Sequence, residues 1–162
     1  MTVRLATLDD LAAVDALLAR SYPRLLAADY PASVLDRALP VMIRAQPHLL
    51  SSQSYYVWQQ TIGETPEILG AGGWSKDKEV PIKAHIRHVV TDDRHLRKGI
   101  ARCLIGHALQ AARDAGFQEM ECWSTYTAVP FYTAMGFDVV GHIDVPMGEG
   151  IALPAIRMQQ VL

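Results

Sequence analysis

His88-Val89-Val90-Thr91-Asp92-Asp93-Arg94-His95-Leu96-Arg97-Lys98-Gly99-Ile100-Ala101 is the run on which the reading of this chain turns. Its first residues close an apolar, β-branched stretch that begins at Ala84 and reads as a strand. Asp92 to Lys98 is a polar, basic loop. From Gly99 the period changes to that of a helix, which runs to Ala115 and is closed by Gly116. Strand, basic loop and helix start therefore succeed one another directly, an order that suits a phosphate. The first N–H groups of a helix lack intrahelical partners, and the macrodipole adds roughly half a positive charge there. Gly99 and Ala101 keep side-chain bulk away from those amides, while Arg97, Lys98 and Arg102 supply countercharge.

A second segment narrows the reading. Ala128-Val129-Pro130-Phe131-Tyr132-Thr133-Ala134-Met135-Gly136-Phe137 has the pattern of a short helix that presents a tyrosine and stops at a glycine. Around these two segments the chain divides readily. Thr2 to Leu8 alternates as a strand that meets a helix N-cap at Asp9 and Asp10. The region to Leu50, punctuated by Pro23, Pro31, Pro40 and Pro47, reads as two broken helices. Ser54 to Thr61 and Ile68 to Trp74 form a hairpin about Gly63 to Pro66. Glu119 to Ser124 is strand-like. Phe137 to Val145 and Ile151 to Val161 are two final strands about Gly148-Glu149-Gly150. The order β-α-α-β-β-β-α-β-α-β-β implies an α/β (α+β) domain, one mixed sheet with helices on both faces.

Composition sets the frame. With 162 residues, half of them apolar and a fifth charged, the chain is expected to fold as a single domain spanning 1–162. A formal net charge of −2 and the lack of any run of like charges name neither nucleic acid nor membrane as a partner. Cys103 and Cys122 are expected as small buried thiols, not a disulfide. The beginning MTVRLATLDD has no apolar signal core, and no stretch is long enough to span a bilayer, so the expected location is cytoplasmic.

The two segments together resemble the Gcn5-related N-acetyltransferase (GNAT) family, whose acetyl-CoA signature is an Arg/Gln-x-x-Gly-x-Gly/Ala loop followed downstream by Phe-Tyr-x-x-x-Gly-Phe. The resemblance covers Ile86 to Gly141. It implies a mostly antiparallel sheet whose fourth and fifth strands splay apart, with acetyl-CoA as co-substrate. Val89, Val90 and Thr91 would then offer backbone groups to the pantetheine arm. Arg97, Lys98, Gly99, Ile100, Ala101 and Arg102 would hold the pyrophosphate. Two positions depart from the family. Leu96 stands where Arg or Gln is usual, leaving Arg97 or Arg94 to replace the charge. Thr125, Tyr126 and Thr127 occupy the stretch where an asparagine is common, so Thr125 is the substitute contact.

Acetyl transfer to an amine needs a proton for the departing thiolate, a base for the ammonium and a donor to the developing oxyanion. The phenol of Tyr132 is the candidate acid. His88, His85 and Glu121 are the candidate bases, with His88 first. His85 and His88, three apart on a strand, are expected to face opposite ways unless a bulge intervenes, which disfavours a metal site. A backbone N–H near Val89 or Val90 would meet the oxyanion. The acceptor implied is the amine of a small molecule, peptide or amino terminus, and a homodimer is left open. A CoA-binding sensor without turnover is the competing reading.

Overall fold

The computed structural model describes residues 2–162. The chain opens with β1 (Thr2–Leu5), shorter than the alternation to Leu8 suggests, because the carboxylate of Asp10 pulls the chain into a 3₁₀ turn at Leu8–Asp10. That buried carboxylate accepts the Thr7 backbone N–H (2.8 Å) and both terminal nitrogens of Arg4 (2.8 and 2.9 Å). The proline-punctuated region forms three helices instead of two: α1 (Leu11–Leu26), α2 (Ala32–Met42) and the single turn α3 (Pro47–Leu50). Pro23 and Pro40 lie inside α1 and α2 but close to their C-termini, where an interrupted ladder costs least, so neither ends its helix on the spot.

The hairpin β2 (Tyr55–Ile62) and β3 (Thr65–Lys76) leads to β4 (Lys83–Thr91) and then to the long helix α4 (Ile100–Asp114). β5 (Glu119–Ser124), the short α5 (Val129–Ala134) and the hairpin β6 (Asp138–Pro146) and β7 (Ala152–Val161) complete the fold. Among the described residues seven strands make one sheet in the order β1-β2-β3-β4-β5-β7-β6. Every neighbouring pair is antiparallel except β4 and β5. A parallel pair requires a crossover, and α4 is that crossover.

Each face of the sheet buries its own apolar cluster. Val14, Leu18, Tyr22 and Leu26 of α1 pack with Tyr55, Val57, Ala71 and Val90 on one side. On the other, Ile100, Leu104, Ile105, Ala108 and Ala112 of α4 pack on Leu69, Ala84, Ile86 and Met120, with Tyr132 and Phe137 beside them. The α4 stripe recurs at three- and four-residue steps. Cys103 falls off that stripe and is exposed, against the expectation of burial, whereas Cys122 is buried. No helix among the described residues is long and apolar enough to cross a membrane.

One irregularity in β4 shapes the end of the sheet where α4 begins. The register of β4 against β3 passes from Ala71↔Val90 to Gly73↔Arg87, so His88 and Val89 together stand opposite Gly72. His88 carries φ +49, the left-handed conformation that takes up the extra residue.

Packing at the glycines of β3 gives a direct test. A Cβ on Gly73 would meet the backbone carbonyl of Ser54 and, at 2.6 Å, the Cα of Tyr55, whereas one on Gly106 in α4 meets nothing. Gly73→Ala is expected to lower the unfolding free energy by about 1–3 kcal/mol through overpacking. Gly106→Ala is expected to raise it by up to about 1 kcal/mol through helix propensity. Urea denaturation of the two variants checks both signs.

Candidate active site

The ladder between β4 and β5 holds for Lys83↔Glu119, Ala84↔Met120 and His85↔Glu121 and then ends, although both strands continue. A bulge bends its strand and adds twist, and the bulge at His88 lies just beyond the last pair. Past His85 the two strands therefore part. Asp92 donates its N–H to Leu69 O of β3 (2.8 Å), so by strand alternation the Thr91 N–H faces away from β3, into the gap.

The bulge also turns two carbonyls out of the ladder. The hydroxyl of Tyr22, from α1, donates to Val89 O (2.6 Å), and that of Tyr55, from β2, donates to His88 O (2.6 Å). Burial raises the pKa of both phenols, so both remain protonated donors. These two tyrosines read in the sequence only as core aromatics, and no local signal tied them to β4.

At the same end of the sheet α4 begins. Gly99, its N-cap residue, has φ +82, and a Cβ there would point into open space. The first bond of the helix runs from Cys103 N to Gly99 O (3.0 Å), leaving the N–H groups of Ile100, Ala101 and Arg102 without helical acceptors. Leu96, Arg97, Gly99, Ile100, Ala101 and Arg102 line one cleft with Val89, Val90 and Thr91. Lys98 is exposed and does not line it. Arg94 does not replace the charge missing at Leu96. Its guanidinium is fixed on Asp92 (2.8 and 3.0 Å), away from the cleft, whereas Arg97 lines it.

The cleft, of about 1840 Å³, runs from this helix start through the gap and out between α2 and the β3–β4 connection. Tyr132 of α5, Cys122 and Ser124 of β5, and Thr125 just beyond β5 form its far wall. Burial pushes the phenol of Tyr132 well above its usual pKa, and its hydroxyl has no protein partner among the described residues. Burial likewise raises the Cys122 thiol.

The bulge changes the expected relation of the two histidines. His85 lies opposite Ala84 and Ile86, beside Glu121 and Trp123, while His88 packs with Tyr22 and bonds Met42 O. With one extra residue between them, both rings stand on the α1–α2 face instead of on opposite faces. Their surroundings differ sharply. His85 Nε2 is taken by Asp77 (2.6 Å), and Glu121 accepts from Arg157 (2.7 Å), Trp123 (2.9 Å) and Lys83 (3.3 Å). Burial alone would raise the Glu121 carboxyl, but those hydrogen bonds and charges hold it below the usual carboxylate range. His88 Nε2 lies 2.9 Å from the Met42 carbonyl, so it carries the proton and leaves Nδ1 as the acceptor. Burial pulls the His88 pKa down, keeping the ring neutral near pH 7.

Comparison with known proteins fits this geometry. Residues 36–158 match the model of the acetyltransferase (GNAT) domain, about three quarters of the chain. The chain belongs to the GNAT family. No curated protein matches it. The fold is shared with a GCN5-related N-acetyltransferase of Rhodopseudomonas palustris (TM-score 0.79, 17% identity, 99% of this chain and 95% of that one). It is shared also with the PaiA N-acetyltransferase of Thermoplasma acidophilum, solved with coenzyme A (0.72, 15%, 99% and 98%). A Mycobacterium tuberculosis protein solved in complex with CoA and NLQ is a third (0.64, 18%, 100% and 99%). As a GNAT domain, the chain has the mixed, mostly antiparallel sheet with parted fourth and fifth strands that its signature implies.

In this GNAT domain the tyrosine caps make a checkable contribution. Tyr22→Phe and Tyr55→Phe should each lower the unfolding free energy by about 1 kcal/mol, the net worth of a buried hydrogen bond. Because the two carbonyls are adjacent, the double variant should depart from additivity in a denaturation cycle. Full stability in both single variants would remove the caps from the account.

Proposed function

We propose that the chain is an acetyl-CoA-dependent N-acetyltransferase, acting as one domain, that moves acetyl directly to the amine of a small molecule or amino terminus. The observation that carries this reading is the meeting, in one cleft, of a parted β4–β5 edge with the open start of α4. The residues fit the co-substrate: nothing crowds the Gly99 turn where a pyrophosphate would sit, and the Thr91 N–H faces the gap where an extended arm would pair.

Acetyl-CoA supplies an activated acyl thioester and a thiolate leaving group. The N–H groups of Ile100, Ala101 and Arg102 hold the phosphates, with Arg97 and Arg102 as countercharge. Val89 and Thr91 align the arm through their backbone, and the Val89 N–H faces the carbonyl oxygen as negative charge develops; Val90, expected to share that duty, is instead paired with Ala71 of β3, to which the same alternation turns its N–H. Thr125 offers its hydroxyl from β5's end. His88 Nδ1 takes the ammonium proton, so that the amine nitrogen bonds to the carbonyl carbon as the C–S bond breaks. Tyr132 gives its proton to the sulfur, and the second proton, shed by the nitrogen once it has bonded to carbon, passes through solvent to restore the phenol. Burial holds both groups neutral, acid protonated and base free, the forms each needs at the outset.

Saturating acetyl-CoA is expected to raise the melting temperature, since it binds only the folded chain. Gly99→Ala should weaken that effect, because the methyl group intrudes on the cradle and strains a left-handed residue by about 1 kcal/mol. An unmoved transition in the wild type would remove the cofactor assignment.

With an acceptor in hand, Tyr132→Phe should lower kcat about a hundredfold or more with CoA affinity nearly kept. The acidic limb of the wild-type profile should lie below about 6.5, the ordinary histidine value, because the His88 pKa is depressed. Wild-type kcat in Tyr132→Phe, or an acidic limb above that value, would dismiss the corresponding role.

A further inference from the structure

The cleft continues past His88 to Arg87, whose place in the fold is unusual for a cation. Arg87 is half-buried and lines the cleft, and its Nε donates to Ser75 Oγ (2.8 Å). Among the described residues it forms no ion pair, and neither of its terminal nitrogens is sealed away from the cleft. Burial pulls its pKa down even though Asp77 and Glu121 act to raise it. Neither carboxylate is free to pair with it. Asp77 accepts from the backbone of Val80 (2.7 Å) and Glu79 (2.9 Å) and from His85, and Glu121 is spent on Arg157, Trp123 and Lys83. A partly desolvated guanidinium with an open fork and no anion is a cost that a bound anion relieves. Lys76 and Lys78 at the same mouth of the cleft are matched by Asp77 and Glu79, so the unpaired positive charge there is that of Arg87.

We infer that the acceptor is an amine that also bears a carboxylate, such as a free amino acid, and that the Arg87 guanidinium holds that carboxylate while His88 faces the amine. The inference rests on the acetyltransfer reading above and gives it a substrate class. The bulge is what makes the arrangement available. By inserting one residue it sets Arg87 and His88, neighbours in the chain, on the same face of the sheet, so one small acceptor addresses both. A planar fork suits a carboxylate through two parallel hydrogen bonds, and lysine does not reproduce it.

The test compares the standard amino acids with their C-terminal amides as acceptors, monitoring release of free CoA. For the best acceptor, wild-type kcat/KM is expected to favour the acid over its amide by about tenfold or more, as befits a charge-assisted bidentate contact. In Arg87→Ala the ratio should fall to within about twofold of unity, and Arg87→Lys should lie between. Circular dichroism reports whether each variant is folded. If Arg87→Ala does not fold, Arg87→Lys carries the comparison. A second readout is binding: the same amino acid should raise the melting temperature of the CoA-loaded wild type but not of the CoA-loaded variant. The inference is overturned if amides equal or exceed acids, if the ratio survives in a folded variant, or if no amino acid is acetylated although acetyl-CoA still stabilises the protein. Absence of any stabilisation by acetyl-CoA would instead bring down the acetyltransfer reading itself.

Discussion

One extra residue in β4 governs the active end of this molecule. A regular β4 would go on pairing with β5 and would present His85 and His88 on opposite faces. The bulge at His88, held in a left-handed conformation, ends the ladder after three pairs and brings a second polar side chain to the face where the cleft opens. Such a conformation costs free energy for a residue with a side chain. The hydroxyls of Tyr22 and Tyr55 offset part of it, since each donates, at 2.6 Å, to a carbonyl the ladder has lost. Helix α1 and strand β2 thus act as braces for the opening.

Burial does the electrostatic tuning in that opening. It disfavours whichever form of a group is charged, so the same desolvation raises the phenol of Tyr132 and lowers the imidazole of His88. In the proposed reaction both shifts favour the starting protonation states, with no dedicated charged neighbour required. Only the backbone carbonyl of Met42 is needed, to fix which nitrogen of His88 bears hydrogen. The one carboxylate among the candidate bases, Glu121, is engaged in a separate network of Lys83, Arg157 and Trp123. That network stiffens the paired half of β4 and β5 and leaves Arg87 unpaired.

Much of this was legible in the chain itself, and the failures have physical causes. From Ala84 onward the change from period two to period 3.6, with Gly99 and Gly136 as punctuation, locates strand, cradle and short helix within a residue or two. Thr2 to Leu8 misleads because Asp10 bonds back to Arg4 and Thr7, a contact alternation does not encode. Pro23 and Pro40 are tolerated near helix ends. The bulge, left open as the exception to the facing of His85 and His88, is what the sequence could not locate: a single inserted residue leaves no compositional mark, yet it inverts the face of everything on one side of it. The consecutive Gly72 and Gly73 across from it were the nearest hint. Arg94 and Lys98 looked equivalent to Arg97 in a basic loop, and only the ion pair with Asp92 and the direction of the helix start distinguish them.

The central claim is that the unpaired edge between β4 and β5 is the seat of the co-substrate's extended arm. Amide hydrogen exchange with and without coenzyme A measures this directly. The account predicts that CoA slows exchange at Thr91 and at the Ile100, Ala101 and Arg102 amides, while Ala84 and His85, already within the paired ladder, stay unchanged. Protection confined to other elements, with Thr91 and the start of α4 exchanging as freely as before, would contradict it.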